Sequence, residues 1–253
     1  MGLLYHHVPG GVFDSGGTSQ NVVEAKTVAA AVIRHARERP RESLGVATFS
    51  VAQRKAVLEE LEAMRRLAPD TEAFFAAHPG EPFFVKALEN VQGDERDVIV
   101  ISVGYGRNQK GVMAMRFGAL SLDGGERRLN VLISRAKRRC EVYASITDKD
   151  IDLERGKGRG VAAFKLFLHF ARTGRLGLSH APTRPADGMF QTQVAEALRE
   201  RGLQATCRSE SPGSSSTSPS PIRTGRVATR VATHLAGLTT RLLDSKYPYN
   251  ISE

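Results

Sequence analysis

LENVQGDERDVIVISVGYG, residues 88–106, is the stretch from which the rest of the chain is read. Asp97 to Val103 holds a run of β-branched apolar residues, Val98 to Ile101 with Val103, closed by Gly104. A short apolar run between polar residues and glycine predicts a strand buried on both faces. Ahead of it stands a tight polar turn, Gln92-Gly93-Asp94-Glu95-Arg96-Asp97. Turns at the ends of central strands are where α/β sheets hold ligands. Gly93 lets the backbone come close to a ligand, Glu95 offers an acceptor for a hydroxyl, and Arg96 a permanent positive charge. An ordinary charged loop accounts for this turn equally well when it is taken alone.

A second stretch, GERRLNVLISRAKRRCEVYAS at 125–145, predicts a helix that ends in a basic cluster and feeds another apolar strand, Glu141–Ile146. Arg128 and Arg135 are seven residues apart. That is two helical turns, so a helix running through both would put them on nearly the same face.

Together the two stretches resemble motifs V and VI of superfamily 1 helicases, in the branch that includes the RNA-decay and replication-associated helicases. The motif V pattern, Gln-Gly-x-Glu-x-Asp followed by a buried strand, is matched by Gln92, Gly93, Glu95, Asp97 and Val98–Ser102. The motif VI pattern, Arg-Leu-Asn-Val-x-x-(Ser/Thr)-Arg-Ala, is matched by Arg128 to Ala136. Gln-Gly-x-Glu alone is a weak signal. The two motifs in order across one β–α–β stretch are a strong one.

Upstream, residues 1–20 are short apolar pieces among the glycines of Gly10–Gly17 and read as loop or edge strand. Asn21 with Glu24 forms a variant capping box for a helix to about Glu38, stopped by Pro40. Ser43–Phe49 is a strand, and Ser50 caps a helix to about Leu67 with Val57, Leu58, Leu61 and Met64 inward. This join resembles helicase motif IV, which implies that Thr48, Ser50 and Gln53 face nucleic acid or nucleotide. A plain β–α unit with an N-cap explains Ser50 fully, and both readings stay open for Thr48 and Gln53. Residues 70–80 hold a short helix, and Pro82–Leu88 is the strand entering motif V. Tyr105–Leu122 reads as a surface excursion. The basic segment Gly156–Gly160 lacks the spacing of a phosphate loop and reads as a flexible loop before a helix, Val161–Arg172.

The fold class expected is therefore α/β, a parallel sheet flanked by helices. The resemblance makes it the second RecA-like (P-loop NTPase-type) domain of a helicase motor, over residues 1–177. Residues 178–188 are a Pro/Ala linker. Residues 189–204 resemble the first helix of a very-short-patch-repair type nuclease, here a truncated stub with Gln191 where an acid is expected. Residues 205–253 are too rich in Ser, Pro and Thr to bury a core, and we expect a disordered or frame-altered tail that diverges near Gln204. Asp244 is an isolated acid there, so no nuclease metal site is expected and no other metal ligands are assigned.

In the helicase family ATP and Mg²⁺ lie between two RecA-like halves. The resemblance implies that Arg135 is the arginine finger and Arg128 a second cleft arginine, with a salt bridge to Glu126 or Asp97 as the structural alternative. It further implies that Glu95 meets the ribose or the cleft, and that Gln92 and Gly93 form the sensor turn. Ala87 and Asn90 stand where the family often has a Thr and a Ser on a backbone phosphate, so Asn90 remains a nucleic-acid donor and Ala87 does not. Arg138 and Arg139 read as a solvated face.

No Gly-x-x-x-x-Gly-Lys-Ser/Thr segment occurs in the 253 residues, and no strand ends in paired acids. The chain is thus expected to need the phosphate-loop half, in cis or in trans, and to be inactive alone. The alternative is a non-catalytic nucleic-acid-binding module. A net charge of +9 suits a polyanionic partner: single-stranded nucleic acid, DNA ahead of RNA. Two cysteines without metal-ligand spacing, no signal peptide and no apolar run of membrane-spanning length point to the cytoplasm and away from membranes.

Overall fold

The computed structural model describes residues 2–175. The linker at 178–188, the stub at 189–204, the tail at 205–253 and Asp244 lie outside the described residues.

Val98 and Val100 turn to one face of their strand, Ile99 and Ile101 to the other, and all four are buried. A strand buried on both sides needs cover on both sides, and the chain supplies it. β1 (Gly2–His7), β2 (Leu44–Thr48), β3 (Phe84–Ala87), β4 (Arg96–Ser102) and β5 (Ala136–Ala144) form a parallel sheet ordered β1-β5-β4-β2-β3. α1 (Val22–Glu38) and α2 (Val51–Leu67) cover one face with Val28, Val32, Val57 and Leu61. A short α3 (Glu72–Ala76) adds Phe74 to that side. α4 (Gly125–Ile133) and α5 (Arg159–Thr173) cover the other face with Leu129, Leu132, Phe164 and Leu168.

Both predicted caps form. Asn21 Oδ1 accepts from the Glu24 amide at 3.1 Å, and Ser50 Oγ from the Gln53 amide at 3.1 Å, which satisfies donors left over at each helix start. Leu58 departs from its inward assignment and is exposed, because the buried face of α2 is Gln53, Ala56, Val57 and Leu61.

Three further readings are corrected. α4 stops at Ile133, so Arg135 lies beyond the helix and does not share a face with Arg128. The basic residues Lys137-Arg138-Arg139 belong to β5, which is drawn out by pairing with β4 from Ala136 onward. The excursion between β4 and α4 is pinched by an Arg107–Met113 bridge and contributes Met113, Phe117 and Leu120 to the core, so it is more than surface.

The β3–β4 connection crosses β2 without a full helix. Leu88 and Val91 are buried on the α4–α5 face, which leaves the polar residues Gln92-Gly93 outside.

Candidate nucleotide cleft and nucleic-acid edge

The residues singled out by sequence fall at two separate places in the sheet. One is the amino end of β4 and β5. Arg96 pairs with Ala136, and the Arg96 amide donates to the Arg135 carbonyl at 3.1 Å. This register sets the preceding residues, Glu95 and Arg135, side by side. Arg135 Nη1 lies 3.5 Å from Glu95 Oε1. The Arg135 side chain also folds back on the end of α4, donating from Nε to the Val131 carbonyl at 2.9 Å and from Nη2 to Ser134 Oγ at 3.0 Å. Val131 is one of the helix-end carbonyls without an intrahelical donor, so the arginine also serves as a C-terminal cap. About 20% of its side chain remains exposed, against 51% for Glu95.

Gln92 and Gly93 are exposed on the turn beside this pair. Gly93 has φ +85° and open space where a side chain would begin, so the left-handed backbone is what calls for glycine there. Asp94 is held by Lys86 Nζ at 2.7 Å. Arg96 turns inward, with Nη1 donating to the Glu95 carbonyl at 2.6 Å. It is buried, donates to the Pro82 carbonyl from Nε and Nη2, and lies over the Phe84 ring at 4.7 Å, so its charge does not face a ligand.

Arg128 is not brought to this pair. Its Nη1 donates to the carbonyls of Ala119 at 3.2 Å and Asp123 at 2.8 Å, which fixes the approach to α4. Neither Glu126 nor Asp97 is its partner. Asp97 instead accepts from the Ser43 amide and approaches Arg138 at 3.9 Å.

The second place is the carboxyl end of β2, β4 and β5. Here Thr48 and Gln53 are fully buried. Thr48 Oγ1 donates to the Ser50 carbonyl at 2.8 Å. Gln53 accepts from the Asn21 amide at 2.8 Å and donates to the Asn21 carbonyl and to Ser102 Oγ, both at 3.1 Å. Their polar atoms are spent inside the chain, which corrects the reading of both as direct nucleic-acid contacts. Ser50 is half-buried, and Asn90 is exposed with its side chain unpaired among the described residues. Ala87 is buried.

The hub of this edge is Glu24, which the sequence offers only as a capping-box partner. Instead of reaching back to Asn21, its carboxyl turns inward. It accepts from Ser102 Oγ at 2.7 Å, the Gly104 amide at 2.6 Å, and the Ser145 amide and Oγ at 3.2 Å each. Complete burial raises its pKa to about 7, although the hydrogen bonds from Ser102, Gly104 and Ser145 oppose the rise. The available signal is a serine at each strand end, Ser102 and Ser145, and an acid on an alanine-rich helix face. Among the described residues no group of three or more His, Cys, Asp or Glu side chains is arranged to hold a metal ion, and no helix is long and apolar enough to cross a membrane.

A parallel sheet with helices on both faces, matched by the family model below, is a RecA-like α/β domain. The sequence model of the AAA domain family matches residues 10–147, and the chain belongs to that family. Two curated relatives are similar over a shorter span. An uncharacterized ATP-dependent helicase, MG140, of Mycoplasma genitalium is 49% identical over 70 residues, 28% of this chain and 6% of the relative. Its homolog in Mycoplasma pneumoniae is 53% identical over 60 residues, 24% of this chain and 5% of the relative. The chain thus matches about a twentieth of the length of these relatives.

Proposed function

We propose that residues 1–177 act as the second RecA-like half of an ATP-driven superfamily 1 helicase motor, in the branch of the RNA-decay and replication-associated helicases. Arg135 supplies positive charge to the terminal phosphate of ATP. Glu95 and the Gln92-Gly93 turn line the cleft beside it, and Arg128 holds the approach to α4. The substrate is single-stranded nucleic acid, DNA ahead of RNA.

The observation that carries this reading is the Arg135–Glu95 pair. A guanidinium braced by Val131 and Ser134, yet in contact with an exposed carboxylate, is held in place without being buried. Such a preset donor is what stabilises charge on a transferring phosphoryl group. The ATP-dependent helicase relatives and the AAA domain match support the same class.

The 253 residues contain no Gly-x-x-x-x-Gly-Lys-Ser/Thr segment. ATP and Mg²⁺ used here therefore need a phosphate loop and metal-binding acid from another domain, in the same polypeptide or a second one. ATP supplies the phosphoryl group, and this half contributes arginine charge and nucleic-acid grip.

The test is ATP hydrolysis with single-stranded DNA, by the full chain alone and mixed with a superfamily 1 half that carries the phosphate loop. Turnover is expected only in the mixture. Turnover by the pure chain, or a mixture no faster than the added half alone, sinks the proposal.

A further inference from the structure

The basic segment Gly156–Gly160 has no part in the cleft described above, and in the fold it does not stand alone. It packs against the excursion between β4 and α4. Arg155 Nη2 donates to the Met113 carbonyl at 3.4 Å, and the Asp152 amide to Met115 Sδ at 3.4 Å. Met115 Cβ lies 3.2 Å from the point where a side chain on Gly156 would begin. At the other end Arg107 clamps the same two loops. Its Nη1 donates to the Gly111 carbonyl at 3.1 Å, and its Nη2 pairs with Asp150 at 2.7 Å. Residues 105–116 and 148–158 are thus braced against each other at both ends and present one surface.

Lys110, Arg116, Lys149 and Lys157 are all exposed on this surface. None of the four side chains has an ion-pair or hydrogen-bond partner among the described residues, although the Lys110 amide donates to Asn108 Oδ1 at 3.0 Å. The acids between them are partly neutralised already: Asp150 by Arg107, and Asp148 by Arg172 and His169. Asp152 and Glu154 are the remaining exposed acids. The surface also continues the edge that carries Ser50. The position for a side chain on Gly118 is 3.6 Å from the Phe49 carbonyl oxygen, and that on Gly104 falls against the Gln53 side chain.

We infer that these two loops form a docking surface for the phosphate backbone of single-stranded nucleic acid, with Lys110, Arg116, Lys149 and Lys157 as its contacts. The inference rests on the nucleic-acid reading above and adds a site that motifs IV to VI do not include. Cations with no protein partner break no ion pair on binding a phosphate, and each phosphate contact releases counterions. Lysine and arginine on a backbone carry no base preference, so binding here is sequence-independent. Buttressed loops also lose little conformational freedom on binding.

The experiment is fluorescence anisotropy of a labelled oligothymidylate of roughly 20 nucleotides with the full chain, between about 50 and 200 mM salt. Wild type is compared with Lys110→Ala/Arg116→Ala/Lys149→Ala/Lys157→Ala. A charge-matched control removes Arg37, Arg39, Arg41 and Arg66, exposed near the far ends of α1 and α2. The surface variant is expected to bind about tenfold or more weaker, with a log–log salt slope flatter by about 3, from roughly 0.7 per contact on a single strand. The control is expected to stay within about twofold of wild type at the same salt. Equal losses in both variants mean net charge alone matters and overturn the surface. A surface variant that binds like wild type also overturns it, while the nucleic-acid reading survives. No binding by wild type at low salt removes both. Should the quadruple variant melt early, Lys110→Gln/Lys157→Gln is read against the same criteria.

Discussion

Arg135 and Glu95, the residues just ahead of β5 and β4, form an ion pair at 3.5 Å that follows from the register of the two strands. Half of Glu95 is exposed. Water screens such a pair, so it adds at most about 1 kcal/mol to stability. In the role proposed for Arg135 the pair serves orientation, and stability and activity should therefore separate.

In the reconstituted motor, Arg135→Ala should lower ATP turnover by about 10³-fold or more. Arg135→Lys should recover little, because an ammonium lacks the planar fork. Glu95→Gln should move the melting temperature by no more than about 4 °C. Turnover within about tenfold of wild type in Arg135→Ala removes the arginine from the role given to it.

Glu24 makes stability depend on pH in an unusual direction. Its folded-state pKa of about 7 lies above the ordinary 4.5, so the folded chain keeps a proton that the unfolded chain releases. The resulting stabilisation is complete below about 4.5 and is lost as pH rises through about 7. Wild type should lose on the order of 2 kcal/mol from this group between pH 5 and 7.5, and Glu24→Gln should have a correspondingly flatter profile. Urea unfolding of both proteins across that window is the measurement. Parallel profiles show that Glu24 does not titrate there.

Gly160 and Gly125 meet at one carbonyl. A side chain on either would begin 2.1 Å from the Leu120 oxygen, a backbone atom that cannot swing away. Gly160→Ala should cost about 1–3 kcal/mol or more, read as an earlier thermal transition. Gly80, with open space around it, is the control, and Gly80→Ala should leave the transition in place or raise it slightly. An unshifted Gly160→Ala protein disproves the close approach of α4 and α5.

Asp148 works in the opposite sense to Glu24. Burial pushes its pKa up, but Arg172 Nε at 2.8 Å and His169 Nδ1 at 2.9 Å outweigh that and hold it at about 2. The stabilisation is present above the ordinary value of 3.8 and is lost as pH falls through about 2. Asp148→Asn should cost on the order of 1–2 kcal/mol at neutral pH after allowance for solvent around Arg172. The gap to wild type should close near pH 2. A gap that persists there assigns the cost to packing rather than charge.

The residues that were legible in sequence are those whose signal is local. The β-branched run before Gly104, the caps Asn21 and Ser50, and the Gln-Gly-x-Glu turn each carry their meaning within a few positions. The basic run at 137–139 hides a strand, because pairing with β4 overrides a composition that suits a helix end. Gln53 is equally opaque. Its partners Asn21 and Ser102 come from α1 and β4, and only the assembled sheet brings them within hydrogen-bonding distance. Glu24 is the same case. The four donors around its carboxyl come from two different strand ends, so proximity along the chain gives no sign of them.

β1 pairs only with β5, its first residue Gly2 opposite Arg139 and its last, His7, opposite Ala144. During synthesis β1 must wait until β5 has emerged before it has a neighbour. Closing so long a loop is slow. A nascent chain stalled before β5 is therefore expected to carry an unzipped first strand, open to chaperones or to wrong partners, until the ribosome has delivered Ala144.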